Sequence, residues 1–229
     1  RVMEAERRAL VRVRERPERP CVYILGGAKA EDSAKIVDAV FRGDIADRVL
    51  TGGLVANLFL RARGYDLGGY NNELLEKKGF TPLIGEIKGL LEKYGDRIVL
   101  PVDLAVEVDG RREEIGVDEL PTEHPIKDVG RRTLEEYTKI IKGAKTIVMN
   151  GPMGVFEEDA FKLGTEEVFR AISESGAFSL IGGGHTIAAA NALGYTDKVS
   201  FVSTGGGALI EYLVTGTLPV VEVLKKYSR

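Results

Sequence analysis

The feature that most constrains the fold is a pattern that occurs five times along the chain. In each case a short β-branched or aliphatic run ends in glycine and is followed by helical periodicity. The five runs with their glycines lie at residues 21–29, 47–53, 145–154, 177–184 and 199–207. Near-continuous apolar strands that alternate with helices are typical of a parallel sheet covered on both faces. The pattern therefore predicts an α/β fold, a three-layer Rossmann-like parallel sheet of about six strands with helices on both faces.

The sixth strand is predicted from the apolar run at residues 97–108, which carries no terminal glycines. A long helical stretch at residues 72–95 precedes it. The segment that follows, residues 109–130, is polar and contains Gly and Pro, so it predicts a loop or a short hairpin.

Composition narrows the class of protein. The chain has 229 residues, 44% of them apolar, which is enough for one sizeable core. Its 32 Lys and Arg residues against 35 Asp and Glu give a formal charge of -3, so we expect neither a nucleic acid nor a membrane as partner. A single cysteine, Cys21, excludes an intramolecular disulfide. No apolar signal region opens the chain, so we expect a cytoplasmic location.

The glycine clusters indicate the kind of ligand. All strands of a parallel sheet point the same way, so the five clusters are predicted to meet at one carboxyl edge, where ligands of open α/β sheets bind. Glycine allows backbone N–H groups to approach a ligand closely, and the helix that follows presents its positive end. Five such turns together indicate an anionic ligand.

Four familiar motifs are absent. The sequence has no G-x-x-x-x-G-K-[ST] segment, so a P-loop is excluded. The dinucleotide pattern G-x-G-x-x-G fails because Gly205 and Gly207 are followed by Ala208, Leu209 and Ile210. No Ser-His-Asp arrangement or metal-ligand spacing stands out, which argues against a hydrolase or a zinc protein.

Two charged side chains are candidates for a phosphate ligand site. Lys29 follows the first glycine cluster, where it could place a point charge on a transferring phosphoryl group, although a solvated lysine is the simpler reading. Glu157 could accept hydrogen bonds from ribose hydroxyls, although an acid in the first turn of a helix is also ordinary capping.

Five segments together resemble the nucleotide-binding, carboxyl-terminal half of the phosphoglycerate kinase family. They are LGGAK at 25–29, LPVD at 100–103, NGPMGVFE at 150–157, GGGHT at 182–186 and STGGGA at 203–208. The match covers nearly the whole chain. Residues 1–19 resemble the helix and linker that join the two domains of that family, and residues 20–229 resemble its nucleotide-binding domain. The chain begins with Arg in what resembles the middle of a charged helix, so we expect a fragment.

The resemblance implies roles for individual residues. Lys29 and the backbone of Gly205, Gly206 and Gly207 would meet the transferred phosphoryl group. Glu157 would bind the ribose, and Gly27, Gly52 and Gly53 would flank the adenine. The full set implied to bind the nucleotide is Gly27, Ala28, Ser33, Gly52, Gly53, Asn150, Pro152, Val155, Glu157, Gly182, Gly183, Gly184, His185 and Thr186.

The resemblance also implies a reaction. It is reversible phosphoryl transfer between 1,3-bisphosphoglycerate and ADP, which gives 3-phosphoglycerate and ATP, with Mg²⁺ bound together with ATP or ADP. In that family an amino-terminal domain binds 3-phosphoglycerate, and nothing in this sequence resembles it. We therefore expect the isolated chain to bind nucleotide without turnover.

Two positions depart from the family pattern. Many relatives carry a second lysine where this chain has Ser33, and Lys35 is close enough in sequence to be a substitute. Many relatives also carry an aspartate, a metal ligand, where this chain has His185, a variant typical of archaeal-like members. We expect His185 to donate to nucleotide phosphate, with Mg²⁺ held chiefly by phosphate oxygens and water.

Two other hypotheses stay open at this stage. A Rossmann-like dinucleotide-binding oxidoreductase would use the glycines for a pyrophosphate, but it lacks both the fingerprint and a convincing ribose-binding acid. A catalytically silent sheet domain would use them only as turns.

Overall fold

The computed structural model describes residues 2–217. Nine strands lie in this part of the chain: β1 (Cys21–Leu25), β2 (Arg48–Thr51), β3 (Ile98–Val99), β4 (Asp103–Val108), β5 (Arg111–Gly116), β6 (Ile126–Val129), β7 (Thr146–Asn150), β8 (Phe178–Gly182) and β9 (Phe201–Ser203). Six of them form one parallel sheet in the order β3-β2-β1-β7-β8-β9, and the other three form an antiparallel sheet in the order β5-β4-β6. The predicted α/β class and the six-stranded parallel sheet are confirmed.

Helices cover both faces of the main sheet. In the described range they are α1 (Val2–Arg14), α2 (Ala30–Arg42), α3 (Gly53–Arg63), α4 (Gly69–Lys77), α5 (Ile84–Tyr94), α6 (Arg131–Gly143), α7 (Leu163–Glu174), α8 (Gly184–Leu193) and α9 (Gly207–Thr215). None of the helices within residues 2–217 combines the length and the apolar character needed to cross a membrane.

Side chains of each central strand alternate between two cores. Tyr23 and Leu25 of β1 belong to the core on the side of α2, α3 and α5, whereas Val22 and Ile24 belong to the core on the side of α6, α7 and α8. This alternation follows from the twofold period of a strand. All five residues of β1 are buried, because both faces of the strand are covered.

The strand predicted at residues 97–108 is wrong as a single element. Pro101 has no N–H to donate to a ladder, and the chain leaves the main sheet after β3. It then enters the antiparallel sheet as β4. The hydroxyl of Thr133 accepts the N–H groups of Val102 and Asp103, both at 3.1 Å, and so satisfies the backbone at this change of sheet.

The segment 109–130, predicted as a loop or a short hairpin, contributes the turn and the second strand of a hairpin, β5, whose first strand is β4 from the preceding apolar run. Asp109 and Gly110 join β4 to β5 with φ of 49° and 77°, the left-handed conformations that suit a two-residue turn. The third strand, β6, was not predicted. The helical stretch predicted at residues 72–95 contains two helices, α4 and α5, separated around Gly79 (φ 77°) and Pro82.

The helix α1 packs on the main body, with Leu10 and Val13 buried and the Tyr23 hydroxyl donating to the Val13 carbonyl at 2.9 Å. The predicted division into residues 1–19 and 20–229 stays a prediction. Residue 1 and residues 218–229 of those segments lie outside the described residues.

Candidate functional site

The strand order creates a crevice between β1 and β7. The chain moves toward β2 and β3 after β1, and toward β8 and β9 after β7, so these two neighbours form the topological switch point. A cavity of about 180 Å³ lies at their carboxyl ends. Seven of the predicted site residues line it: Gly27, Ala28, Gly53, Pro152, Val155, Glu157 and His185.

Five glycines pack the loops together beside this cavity. We call Gly26, Gly27, Gly52, Gly53 and Gly151 the glycine hub. A Cβ on Gly53 would lie 2.6 Å from the backbone nitrogen of Gly27, and Gly53 has a φ of 58°. A Cβ on Gly26 would lie 2.8 Å from the carbonyl oxygen of Gly151. Only glycine fits such close approaches between backbones.

The amides of the glycine hub are already used. Gly26, Gly27, Gly52 and Gly53 donate their N–H groups, at 2.8 to 3.0 Å, to the carbonyls of Asn150, Pro152, Leu25 and Met153 respectively. These four N–H groups are therefore bonded within the protein and are not the ones that could meet an anionic ligand. Because these residues have no side chains, the loops pack closely and form the wall of the cavity. Their hydrogen bonds join the loops to one another.

The glycines at the ends of β8 and β9 differ from those of the glycine hub, because they begin helices. Gly183 and Gly206 are the N-cap residues of α8 and α9, with φ of 90° and 49°. A Cβ on Gly184, Gly206 or Gly207 would have no atom within 4 Å outside its own neighbours. We call these two helix starts, residues 183–185 and 205–208, the open end. The first N–H groups of a helix have no partner within it, so the open end suits an anion.

Lys29 lies on the same carboxyl edge, at the N-cap of α2. Its side chain is exposed and makes no ion pair or hydrogen bond within residues 2–217. It does not line the cavity, although its neighbour Ala28 does. The end of β9 is three strand spacings from the end of β1, about 14 Å, so Lys29 and Gly205 to Gly207 bracket the edge from two sides.

Two residues near Lys29 occupy unlike positions. Ser33 is fully buried, and its hydroxyl has no hydrogen-bond partner among the described residues. Lys35 is exposed and lies 3.6 Å from Glu31 along α2. The structure therefore brings Ser33 into the core and leaves Lys35 on the helix surface.

Glu157 stands alone at the rim of the cavity. It lies in a turn, and the next α-helix, α7, begins only at Leu163. The alternative that Glu157 caps a helix is therefore wrong. Its carboxylate is exposed and has no hydrogen bond or ion pair in the part of the chain that the structure describes.

Some of the predicted nucleotide-binding residues at the ends of β7 and β8 and in α8 are exposed, and others are buried. His185, the second residue of α8, is exposed and lines the cavity. Thr186 is fully buried, and its hydroxyl accepts the N–H of Gly151 at 2.6 Å. Asn150 and Gly182 are also buried, at the ends of β7 and β8. Thr186 thus ties the β7 loop to the start of α8.

Sequence reasoning missed the part of the cavity wall that comes from the small sheet. Lys127, Asp128 and Val129 of β6 line the cavity, as does Leu104 of β4. The segment PIKDVG, residues 125–130, mixes charges and apolar residues over only four strand positions, so it carries no strand pattern that could have identified it.

A buried ion pair fixes β6 in place. Asp128 has no exposed side-chain surface, and its Oδ2 lies 2.8 Å from Arg112 Nη1 and 2.9 Å from the donating N–H of Gly164 in α7. Burial raises the pKa of Asp128 to about 6, against the opposing effects of the Arg112 guanidinium and the Gly164 N–H. Asp103 serves α6 similarly, since it accepts the N–H of Thr133 at 2.9 Å. The LPVD segment therefore supplies a helix cap.

Fold and site together define the chain as a Rossmann-like α/β domain with a glycine-walled crevice at its switch point. The family model of phosphoglycerate kinase matches residues 1–216. The chain belongs to the phosphoglycerate kinase family.

Relatives and solved structures agree on the family. The chain is 49% identical over 228 residues to the phosphoglycerate kinase of Methanococcus maripaludis, covering 99% of this chain and 55% of the relative. The crystal structure of phosphoglycerate kinase from Pyrococcus horikoshii OT3 superposes with a TM-score of 0.91 at 45% identity, over 98% of this chain and 56% of that chain. The Coxiella burnetii phosphoglycerate kinase structure gives 0.88 at 33% identity, over 100% of this chain and 59% of that chain. The chain thus spans about half the length of the relatives it matches.

Proposed function

We propose that this chain is the nucleotide-binding half of a phosphoglycerate kinase, and that it binds ATP or ADP in the crevice at the switch point. The single observation that carries the proposal is the combination, along one sheet edge, of a glycine-walled cavity and two open helix starts. The remaining half of the relatives' length is proposed to supply the 3-phosphoglycerate site. We also propose a cytoplasmic location.

The proposal gives the nucleotide a direction. The base lies against the glycine hub, where no backbone N–H is left for a phosphate. Glu157 accepts hydrogen bonds from the ribose hydroxyls, and the phosphates point toward the open end, where His185 donates to them. Ser33, Asn150, Gly182 and Thr186 are buried, so we propose that they support the site from behind.

In the forward reaction, a terminal phosphate oxygen of ADP attacks the acyl phosphorus of 1,3-bisphosphoglycerate. The bond between phosphorus and the carboxyl oxygen breaks, and 3-phosphoglycerate leaves as a carboxylate while ATP forms. Lys29 and the N–H groups at the start of α9 stabilise negative charge on the group in transfer. Positioning and charge stabilisation carry most of the catalysis in such transfers.

The donors of the site fit Mg²⁺ only together with a nucleotide. Mg²⁺ prefers oxygen ligands, whereas the cavity lining offers two carboxylates, Glu157 and the Arg112-paired Asp128, and the imidazole of His185. Within residues 2–217, no group of three or more His, Cys, Asp or Glu side chains is arranged to hold a metal ion. We therefore propose that phosphate oxygens and water hold the cation, which supplies positive charge to the phosphates.

The dinucleotide-dependent oxidoreductase hypothesis is not retained, because the family match spans residues 1–216 and the fingerprint is absent. Equilibrium dialysis tests the proposal with ATP, ADP and NAD, each with and without Mg²⁺. We expect magnesium-linked binding of ATP and ADP and none of NAD. Binding of NAD alone would contradict the proposal.

We further propose that the isolated chain has negligible turnover, because the acyl-phosphate site and the closure that excludes water lie in the other half. A coupled assay with 1,3-bisphosphoglycerate and ADP measures this. Appreciable turnover by the 229-residue chain would refute the division of roles.

A further inference from the structure

Lys127 connects three segments at the rim of the cavity. Its Nζ lies 3.0 and 3.1 Å from the two carboxylate oxygens of Glu158, and it also pairs with Glu107 of β4. The same ammonium lies 5.4 Å from the centre of the buried Phe161 ring. The Lys127 side chain is only 20% exposed. Two carboxylates and an aromatic ring thus hold one lysine at the edge of the nucleotide cavity.

The turn that carries Glu157 is attached to Lys127 twice. The N–H of Val155 donates to the Lys127 carbonyl at 2.8 Å, and the N–H of Glu158 closes the turn by donating to the Val155 carbonyl at 3.2 Å. The side chain of Lys127 then holds Glu158 at the far end of the turn. Backbone and side chain of one residue therefore fix both ends of residues 155–158.

As a result, the adjacent residues Glu157 and Glu158 differ in whether their carboxylates are paired. Glu158 is paired with Lys127, whereas Glu157 has no partner within the described range. Since Lys127 already pairs with two carboxylates, it does not compete for Glu157. One negative charge on this turn is left for a ligand.

We propose that Lys127 is a positioning residue for ribose recognition: by holding Glu158 and Glu107 it fixes the turn and leaves Glu157 free to accept from the ribose hydroxyls. This inference rests on the proposed function. It adds a residue that contributes to nucleotide affinity through Glu157. Burial opposes the charge of Lys127, but its two carboxylate partners prevail and its pKa is raised, so it stays an ammonium at neutral pH.

The test measures selectivity for the ribose, which loss of stability alone would not change. Isothermal titration of the 229-residue chain gives the ratio of the Kd for 2′,3′-dideoxy-ATP to the Kd for ATP. In the parent we expect a ratio of about ten or more, the scale of a hydrogen bond to a charged group. Lys127→Met is expected to lower the ratio to about two to three, because the freed turn no longer fixes Glu157.

Three further variants complete the design. Lys127→Arg keeps a cation near both carboxylates and should preserve the parent ratio. Glu158→Gln removes the anchored charge and should lower the ratio partway, which keeps the test available if Lys127→Met does not fold. Lys142→Met breaks an exposed ion pair, Lys142 to Glu174 at 3.1 Å, at the C-terminal ends of α6 and α7, and should leave the ratio unchanged.

The outcomes separate the two levels of the argument. A parent ratio near one would refute the ribose role of Glu157, and the inference would fail with it. A parent ratio of ten that persists in folded Lys127→Met, or in Glu158→Gln where Lys127→Met does not fold, would overturn the inference alone. An equal fall in Lys142→Met would also overturn it, because the effect would not be specific to the turn.

Discussion

The glycine hub and the open end contain the same residue type at the same edge of one sheet, yet they use glycine for different reasons. In the hub, four N–H groups are donated to carbonyls of strand ends and loops and the fifth to the Thr186 hydroxyl, and the missing Cβ atoms let three backbones approach. At the open end, the glycines begin two helices, and a Cβ on Gly207 would meet no atom within 4 Å. The glycines of the hub contribute to stability, whereas those of the open end leave helix N-termini available for binding.

This difference explains how one edge could hold an asymmetric ligand. A wall whose backbone N–H groups are already hydrogen-bonded favours an apolar, flat group such as a base, because covering the wall leaves no N–H donor unpaired. Free helix N-termini favour phosphates. A nucleotide has one chemistry at each end, and the two regions match them in order.

The largest expected effect is on stability, from a methyl group added to the hub. Gly53→Ala should lower the free energy of unfolding by about 3 kcal/mol, from the left-handed φ of 58° and from crowding against Gly27. Gly207→Ala at the open end should change it by less than about 0.5 kcal/mol. Urea unfolding measures both, and similar losses at the two sites would abolish the distinction between the regions.

The second prediction concerns the small sheet that faces the hub across the cavity. The pKa of Asp128 rises from 3.8 to about 6 on folding, so between these values the folded state binds more protons than the unfolded state. Its contribution to the free energy of unfolding must then fall as pH rises from about 4 to 6. Relative to Asp128→Asn, the parent should lose on the order of 2 to 3 kcal/mol over this range.

Urea unfolding of both proteins at pH 4, 5, 6 and 7 measures this difference. The gap between parent and variant should be constant above about pH 6.5. If the free energy of unfolding of the parent, relative to that of Asp128→Asn, instead rose with pH, the sign of the prediction would be wrong. The interaction with Arg112 would then outweigh the cost of burial.

The third prediction concerns Lys29, the charge on the side of the sheet edge opposite the start of α9. In a full-length phosphoglycerate kinase that carries this chain, Lys29→Ala should lower kcat by about ten- to a hundredfold, while the Kd for ADP changes far less. Lys35→Ala removes an exposed lysine paired with Glu31 and should leave both within about twofold. The coupled assay and calorimetry separate the two quantities. A Lys29→Ala enzyme that lost only affinity would contradict the assigned role.

The smallest expected effect is at the ribose. Glu157→Gln should weaken ATP binding by about three- to tenfold and leave stability unchanged, because the side chain is exposed and unpaired within residues 2–217. Binding of inorganic tripolyphosphate, which would engage only the open end, should not change. Weaker binding of both ligands would show that Glu157 acts on the whole edge.

Local sequence patterns predicted much of the main sheet. Strands β1, β2, β7, β8 and β9 and the helices after them follow from apolar runs and glycine stops, since continuous burial requires apolar residues at every strand position. The run at residues 97–108 misled because the apolar pattern is the same in one strand as in two. Pro101 was the available signal, and it marks the change of sheet.

The candidate site was predicted in part. The motifs predicted Gly27, Gly53, Pro152, Glu157 and His185 as nucleotide-binding residues, and all five line the cavity. Lys127 and Asp128 could not be predicted, because a lysine between an isoleucine and an aspartate carries no local sign of its partners. Those partners, Glu107, Glu158 and Arg112, are 16 or more positions away.

The sequence by itself determined that this chain is an α/β domain whose glycine clusters meet at one sheet edge, because strand and helix periods are local properties and strands that alternate with helices run parallel in one sheet. Only the tertiary structure decided which glycines are closed and which are open. Whether a backbone N–H is hydrogen-bonded within the protein depends on the carbonyl that lies opposite it. For Gly26 that carbonyl belongs to Asn150, more than a hundred residues along the chain. Contacts between distant segments divide one repeated motif into a structural hub and a candidate binding end.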